Sequence, residues 1–414
     1  MFDAVPERGS KMTKPEAMTH WIDAAQALLP EMISLRRAIH AEPEIGLHNP
    51  LTTAKAKAAL AGLPLEYAEG PSTTGFVATL RGPSNGRTVL LRGDMDALPM
   101  HEDTGLEFSS QVENAMHACG HDTHVAMLVA AAHALCAQRD RLAGTVQFMF
   151  QPGEEGWHGA RYMLDDGLID PIPDAAFALH ITPNIQSGVF AGRPGPLLAA
   201  ADRIELTIKG KGGHASQPHD AVDPIPVACE MVMALQSMIT RRVPAFDPAV
   251  LTIAHIRAGS TNNVIPETAF IEGTIRTFSE KSRAIAREGL QRVVDHVCAA
   301  HLCEADLKII PGFPVTLCDS RAHALARRVT KETFGEDAWF EMPTPMMGAE
   351  DFSYVLQKAP GAMMFLGASP EGGDWRTCCA LHSNRMVLDE KVMARGAALH
   401  CALAESFLSG GFES

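Results

Sequence analysis

Met116-His117-Ala118-Cys119-Gly120-His121-Asp122 sets a thiol and an imidazole two residues apart in a glycine-containing loop. Directly behind it, residues 122–138 form an Ala-rich apolar stretch that reads as a helix. Cys and His are the usual protein ligands for zinc-like ions, and a helix start favours the thiolate that ligation needs. The chain must therefore fold so that a loop-to-helix junction is held still and further donors arrive from elsewhere. Taken alone, Cys119 reads as an inert thiol, so the partners decide the matter.

The rest of the chain shows where such partners could come from. Residues 21–41 read as one amphipathic helix, ended by Glu42-Pro43, and residues 77–80, 88–91, 145–150 and 175–179 as strands. A short helix includes residues 161–164. This alternation predicts an α/β sheet with helices on both faces. The middle of the chain differs. Strands at 203–209, 250–256, 269–277 and 304–309 are interleaved with helices at 221–241 and 281–300, in the order β, α, β, β, α, β. That order suits a small sheet with helices on one face. Beyond Gly312 the α/β style returns, with helices near 321–334, 351–357 and 389–408 and a strand at 362–366. The domain map is a catalytic α/β domain, residues 1–197 and 313–414, interrupted by a smaller α+β domain, residues 198–312.

Composition narrows the partners. With 35 basic and 49 acidic residues the net charge of the 414-residue chain is −14. This argues against nucleic acid or an anionic membrane, and an anionic substrate would need a local cation to receive it. Nine cysteines without a disulfide-like spacing fit a reducing compartment. The stretch from Met1 to about Met18 reads as a polar extension without the apolar core of a secretory signal. Cytoplasm is the expectation.

In open α/β sheets ligands bind beyond the carboxyl ends of the strands. The strand at 88–91 leads to Asp94 and Asp96, the strand at 145–150 to Glu154-Glu155, and the strand at 175–179 directly to His180. His382, in Ala380-Leu381-His382-Ser383, precedes the last helical segment. Each also has a plain structural reading: turn or cap residues for Asp94 and Asp96, a solvated loop for the glutamates, a satisfied structural imidazole for His180. Together they fit a two-metal hydrolase, in which each ion needs about three protein ligands, one of them shared. A spare carboxylate must then take a proton from water.

The motifs RGDMDALP, HACGHD, QPGEEG, ALH, GKGGHASQPH, TNNVIPE, GTIRTF, GAEDF and LHS resemble those of the metal-dependent N-acyl-amino-acid amidohydrolases. The resemblance is to the branch with hippurate hydrolases, auxin-conjugate hydrolases and N-acetyl-diaminopimelate deacetylases, and runs from about residue 35 to 400. It implies that Cys119 bridges two divalent metal ions, with His121 and His180 completing one site and Glu155 and His382 the other. It implies Glu154 as general base and then acid, and Asp96 as the carboxylate that orients a ligand. Related branches carry a metal-binding His where this chain has Asp94, and a carboxylate bridge where it has Cys119. This chain therefore falls in the thiolate-bridged branch, with manganese or zinc expected and cobalt or nickel as further candidates.

The inserted domain resembles the family's dimerisation, or lid, domain. By that resemblance His214 reaches the partner subunit's active site and polarises the scissile carbonyl, Asn263 helps hold its oxygen, and Arg276 binds the substrate carboxylate. Read without the resemblance, His214 is a surface loop histidine and Arg276 an exposed strand residue. His219 and Glu350 lie in matching motifs without an assigned role. The expected activity is cleavage of N-acyl-L-amino acids to a carboxylic acid and a free amino acid, in a homodimer or dimer of dimers. The rivals are a dipeptidase or carboxypeptidase with the same centre, a metal-dependent binding protein without chemistry, and a thiol enzyme using Cys119 as nucleophile.

Overall fold

A computed structural model describes residues 14–413. The expected polar extension lies outside them up to residue 13; from Lys14 the chain is already helical. The chain divides into two compact units. The first holds the chain up to Gly195, Cys318–Pro343 and the chain from Val355 onward; the second holds Pro196–Leu317 and Thr344–Tyr354.

The first unit is built on a mixed eight-stranded sheet. Its strand order is Glu66–Glu69, Phe76–Arg81, Gly144–Gln151, Arg87–Asp94, Ala175–Thr182, Gly361–Gly367, Phe190–Gly192 and Trp339–Glu341. The four central strands run parallel, with Asp94 opposite Gln151 and His180 opposite Phe365. Apart from a few edge positions these strands are buried residue after residue, so both faces are covered, as parallel sheets require. The helix His121–Ala137 packs on this sheet and is buried along nearly its whole length. Its alanines permit close neighbours. Helix Met393–Gly410 crosses it at Gly396, where a Cβ would stand 2.1 Å from the Met127 sulfur, so a side chain there would have to displace the Met127 thioether.

Two helical expectations need correction. Residues 21–41 are not one helix but two, Lys14–Ala27 and Leu29–His40. Pro30 lies in the first turn of the second helix, where its missing N–H costs nothing, but it would break a helix running through it. A further helix, Pro50–Ala59, was not legible in the sequence. Its first amides are capped from a distance: the Glu44 carboxylate accepts from Leu51 N at 3.1 Å and Thr52 N at 2.8 Å. The 351–357 segment yields a single turn, Ser353–Leu356.

The second unit has the expected β, α, β, β, α, β order. Its antiparallel sheet runs Ala249–Ala258, Thr268–Thr277, Ala200–Lys209, Glu304–Pro311. Helices Pro224–Arg242 and Glu280–Ala300 supply Val227, Met231, Leu235, Leu290 and Val294 to a core shared with Ile204, Leu206, Ile271 and Ile275 of the sheet. Strand Thr268–Thr277 alternates buried and half-exposed residues, the pattern of a sheet with one packed face. Asp202, itself buried, ties the start of Ala200–Lys209 and the end of Glu304–Pro311 to the second helix. It accepts from Arg283 at 2.7 Å, from Arg287 at 2.6 Å and from Gly312 N at 3.3 Å. Burial opposes its charge, but the two guanidinium groups outweigh it and hold the carboxyl below its ordinary value of 3.8.

Removing that carboxylate takes away the partner the two guanidinium groups share, leaving Arg283 with Glu280 and the Gly312 carbonyl. Asp202→Ala is expected to cost about 2–3 kcal/mol, read as a lower urea midpoint for the second unit. Because the folded pKa is depressed, the contribution is complete above the ordinary value and is lost only as pH falls through the folded one.

Candidate metal centre

The parallel register brings the carboxyl ends of three strands to one edge of the first unit. Asp94 ends one strand and Gln151 the next, and His180 lies two residues before the end of the third, Ala175–Thr182. The sequence placed that last strand's end at Leu179; pairing with Gly361–Gly367 carries it on to Thr182. His121 is the first residue of its helix and Cys119 sits in the loop before it. His382 arrives from a distant loop, its N–H donating to Ala118 O at 2.7 Å. Its φ of +65° is a left-handed conformation that a non-glycine residue adopts only where the surroundings hold it.

These residues form overlapping donor sets. Ligand atoms of Cys119, His121 and His180 lie within 4.8 Å of one another, as do those of Cys119, Glu155 and His382, and those of His121, Glu154 and Glu155. Cys119 Sγ is 3.4 Å from His180 Nε2, and His382 Nε2 is 3.2 Å from Glu155 Oε1. Cys119, His121, Glu154 and His180 are buried, whereas the His382 side chain is 55% exposed.

Backbone carbonyls fix the imidazole tautomers. His121 Nδ1 lies 2.8 Å from Asp96 O and His180 Nδ1 2.7 Å from Ile181 O. A carbonyl can only accept, so in both rings Nδ1 carries the proton and Nε2 offers its lone pair to the cluster. Among the described residues His121 Nε2 is buried without a hydrogen bond, and Asp94 Oδ2 lies 3.4 Å from it. A lone pair facing a buried carboxylate calls for a cation between or beside them. The titration directions mark the same demand for positive charge, which a proton meets where no ion is bound. Burial disfavours a charged His121, but Asp94 and Cys119 outweigh it and raise the imidazole well above its ordinary value. Hydrogen bonds to Cys119 and Glu155 push His382 up to about 10. Burial pushes the Cys119 thiol up, opposed by His121. Soft and borderline donors with surplus negative charge fit two divalent ions sharing Cys119.

Asp96 braces the centre from two sides. Its main-chain oxygen receives His121, and its carboxylate accepts the consecutive amides of Glu154 at 2.9 Å and Glu155 at 3.0 Å. Asp94 accepts from Arg92 Nη1 at 2.5 Å and is hydrogen-bonded to His124 Nδ1. His124 Nε2 in turn accepts Ile181 N at 2.8 Å. Both His124 nitrogens are thus occupied, so although it clusters with Asp94 and His121, it serves as a support. The sequence reading overlooked His124 and Arg92. The available signal was spacing: His124 follows His121 by three residues and shares its helix face.

The remaining candidates belong to the second unit. The two-residue strand Gly213–His214 pairs with Val264–Ile265, and Ala215 N donates to Asn263 O at 3.1 Å, so His214 and Asn263 are neighbours. His214 is exposed, its Nδ1 2.8 Å from Ser216 Oγ. Arg276 is not part of that pair. It sits opposite Ala201 and Val250, on the sheet face away from the core. It is half-buried and has no hydrogen bond or ion pair among the described residues; burial lowers its pKa, partly offset by Asp202. His219 is exposed near Asp220, and Glu350 is buried, accepting Phe352 N at 2.8 Å.

A parallel-centred sheet with thiol, imidazole and carboxylate donors gathered at its carboxyl edge is that of a metal-binding hydrolase of the amidohydrolase type. The chain belongs to peptidase family M20/M25/M40, whose profile matches residues 90–406. It is 36% identical to thermostable carboxypeptidase 1 of Saccharolobus solfataricus, over 91% of this chain and 95% of that protein. It is 34% identical to an N-acetylcysteine deacetylase of Bacillus subtilis, over 92% and 98%. The crystal structure of a Bacillus subtilis dinuclear metal-binding peptidase of the M20 family superposes with a TM-score of 0.80 at 31% identity, covering 92% of this chain and 99% of that one.

His124→Leu keeps an apolar volume in the core but strips Asp94 and the Ile181 amide of a partner. Unfolding of the metal-free protein is expected to be easier by about 3–5 kcal/mol, with His124→Gln recovering part of the loss. Working without metal separates this support from any effect on ligation.

Proposed function

We propose that the protein hydrolyses N-acyl-L-amino acids to a carboxylic acid and a free amino acid. The observation that carries the reading is the shared position of Cys119, in donor reach of His121 and His180 on one side and of Glu155 and His382 on the other, with Glu154 alongside. Two divalent ions, when bound, would polarise the carbonyl and lower the pKa of water. Manganese or zinc suits the donors best, with cobalt or nickel as alternatives. Glu154 takes the proton of the attacking water and returns it to the departing nitrogen. Asp96 holds Glu154 and Glu155 in place through their amides, so the two carboxylates divide the work of base and ligand. His214 and Asn263 stabilise the developing oxyanion. Arg276, half-buried and unpaired among the described residues, grips the substrate carboxylate through two parallel hydrogen bonds.

We also propose a cytoplasmic homodimer, or a dimer of dimers, in which the second unit lends His214 to the partner subunit. A dipeptidase or carboxypeptidase activity at the same centre is the second reading. The carboxypeptidase name of a relative that is 36% identical favours it. Assaying acyl- against aminoacyl-amino acids, with several metals, decides between the two.

Glu154→Gln is expected to retain both ions by elemental analysis yet lose about 10²–10⁴ in turnover, while Glu155→Gln lowers metal content; the opposite pattern would exchange their roles. Arg276→Ala should cut kcat/KM for N-acyl amino acids by roughly 10²-fold and act far less on the matching amides, which lack the carboxylate; equal losses would make Arg276 structural. Mixing inactive His214→Ala and Glu154→Gln subunits under exchange should partly restore activity, since one mixed site then holds both intact residues. No recovery in verified mixed dimers would place His214 in its own subunit's site or outside catalysis.

A further inference from the structure

An indole stands in the open at the rim of the glutamate turn. Trp157 is 51% exposed, and its ring nitrogen has no hydrogen bond among the described residues. It follows Glu155 by two residues, so their Cα atoms are under about 8 Å apart. The turn that carries both is closed on itself. Gly156 N donates to Glu154 O at 2.6 Å and Gly159 N to Gly153 O at 3.0 Å. The backbone at Trp157 is therefore tied to the turn that positions the carboxylates.

The indole rests on a second segment fixed to the same centre. A Cβ placed on Gly46 would lie 3.2–3.4 Å from three ring atoms of Trp157, so the ring lies against bare backbone. Gly46 has a φ of +81°, which also disfavours a side chain there. That segment is bridged to the metal-facing loop: Ile45 pairs with Ala97, the residue after Asp96, and Ala97 N donates to Glu44 O at 2.7 Å. Glu44 is itself held by its caps on Leu51 and Thr52. Ile45, next to the stacking point, is 37% exposed. The result is a rigid apolar surface, aromatic on one side and aliphatic on the other, rooted in the two loops that carry Asp96, Glu154 and Glu155.

The exposed indole and the exposed Ile45 beside its platform offer apolar area that a flat apolar group can cover. A polar amino-acid head group does not suit it, and the proposed anchor for the substrate carboxylate, Arg276, lies in the other unit. We infer that Trp157 is a specificity-determining residue that receives the acyl side of the substrate, selecting flat aromatic or large apolar acyl groups over acetyl. The inference rests on the amidohydrolase reading above and names its acyl preference. Trp157 does not touch the reacting atoms. It contributes binding that ground state and transition state share, which acts on KM and leaves kcat in place.

The test compares N-benzoyl- and N-acetyl-derivatives of the same amino acids on the metal-loaded enzyme. Wild type is expected to favour benzoyl. Trp157→Ala should lower the benzoyl-to-acetyl ratio of kcat/KM by roughly ten-fold or more, mainly through KM for the benzoyl substrate. Trp157→Phe should restore most of the ratio, and Trp157→Gln, a polar replacement for use if the alanine variant does not fold, should not. An unchanged ratio in Trp157→Ala or Trp157→Gln overturns the inference and leaves the amidohydrolase reading standing, as does a wild type that favours acetyl. A wild type that turns over neither substrate, nor any other N-acyl amino acid, overturns both.

Discussion

Two hydrogen bonds, donated by consecutive backbone amides to one carboxylate, hold the centre together. Asp96 accepts Glu154 N and Glu155 N, and its own main-chain oxygen receives His121. A single residue thereby sets the aim of an imidazole from one loop and of two carboxylates from another. The sheet makes this possible: parallel pairing of Arg87–Asp94 with Gly144–Gln151 brings both loops off the same edge, in register. A shift in that register would move Asp96 out of reach of the glutamate amides, and no local adjustment would restore both contacts.

The centre also shows how buried charge is managed. Asp94 is fully enclosed, yet Arg92 and His124 satisfy it, and in spite of burial Arg92, His121 and His124 hold its carboxyl well below the ordinary range. His117, two residues before Cys119, is handled in the opposite way. It is buried with no hydrogen bond to either ring nitrogen among the described residues, and burial drives its pKa down to about 3, so it is neutral. Charge is kept where donors converge on one point and suppressed beside it.

The donor set was legible in the sequence for a physical reason. Chemistry-bearing residues at strand ends stand out from the apolar strands before them, and strand ends fall on one edge of a parallel sheet. The β, α, β, β, α, β order of the second unit was legible because half-exposed strands alternate visibly. What escaped depended on partners far away in the chain. Helix Pro50–Ala59 has weak periodicity and takes its cap from Glu44. His124 resembles any apolar-helix histidine until Asp94 and the Ile181 amide are seen on either side. The break at Leu28 was a local signal, since Pro30 was in plain view, but the periodic apolar residues on both sides concealed it. Thr344–Tyr354 joins the second unit through contacts that no local pattern announces.

The donor set is sealed at one end and open at the other. Cys119, His121 and His180 are enclosed, while His382 exposes 55% of its side chain and is held in a left-handed backbone conformation by the Ala118 carbonyl. Two ions in such a frame would not be equivalent guests. An ion on the His382 side would be the more open to water, chelators and competing metals, and one on the His180 side would exchange more slowly. Metal identity in this chain would then be recorded in two layers, an inner one fixed when the protein first loads and an outer one that follows the surrounding supply.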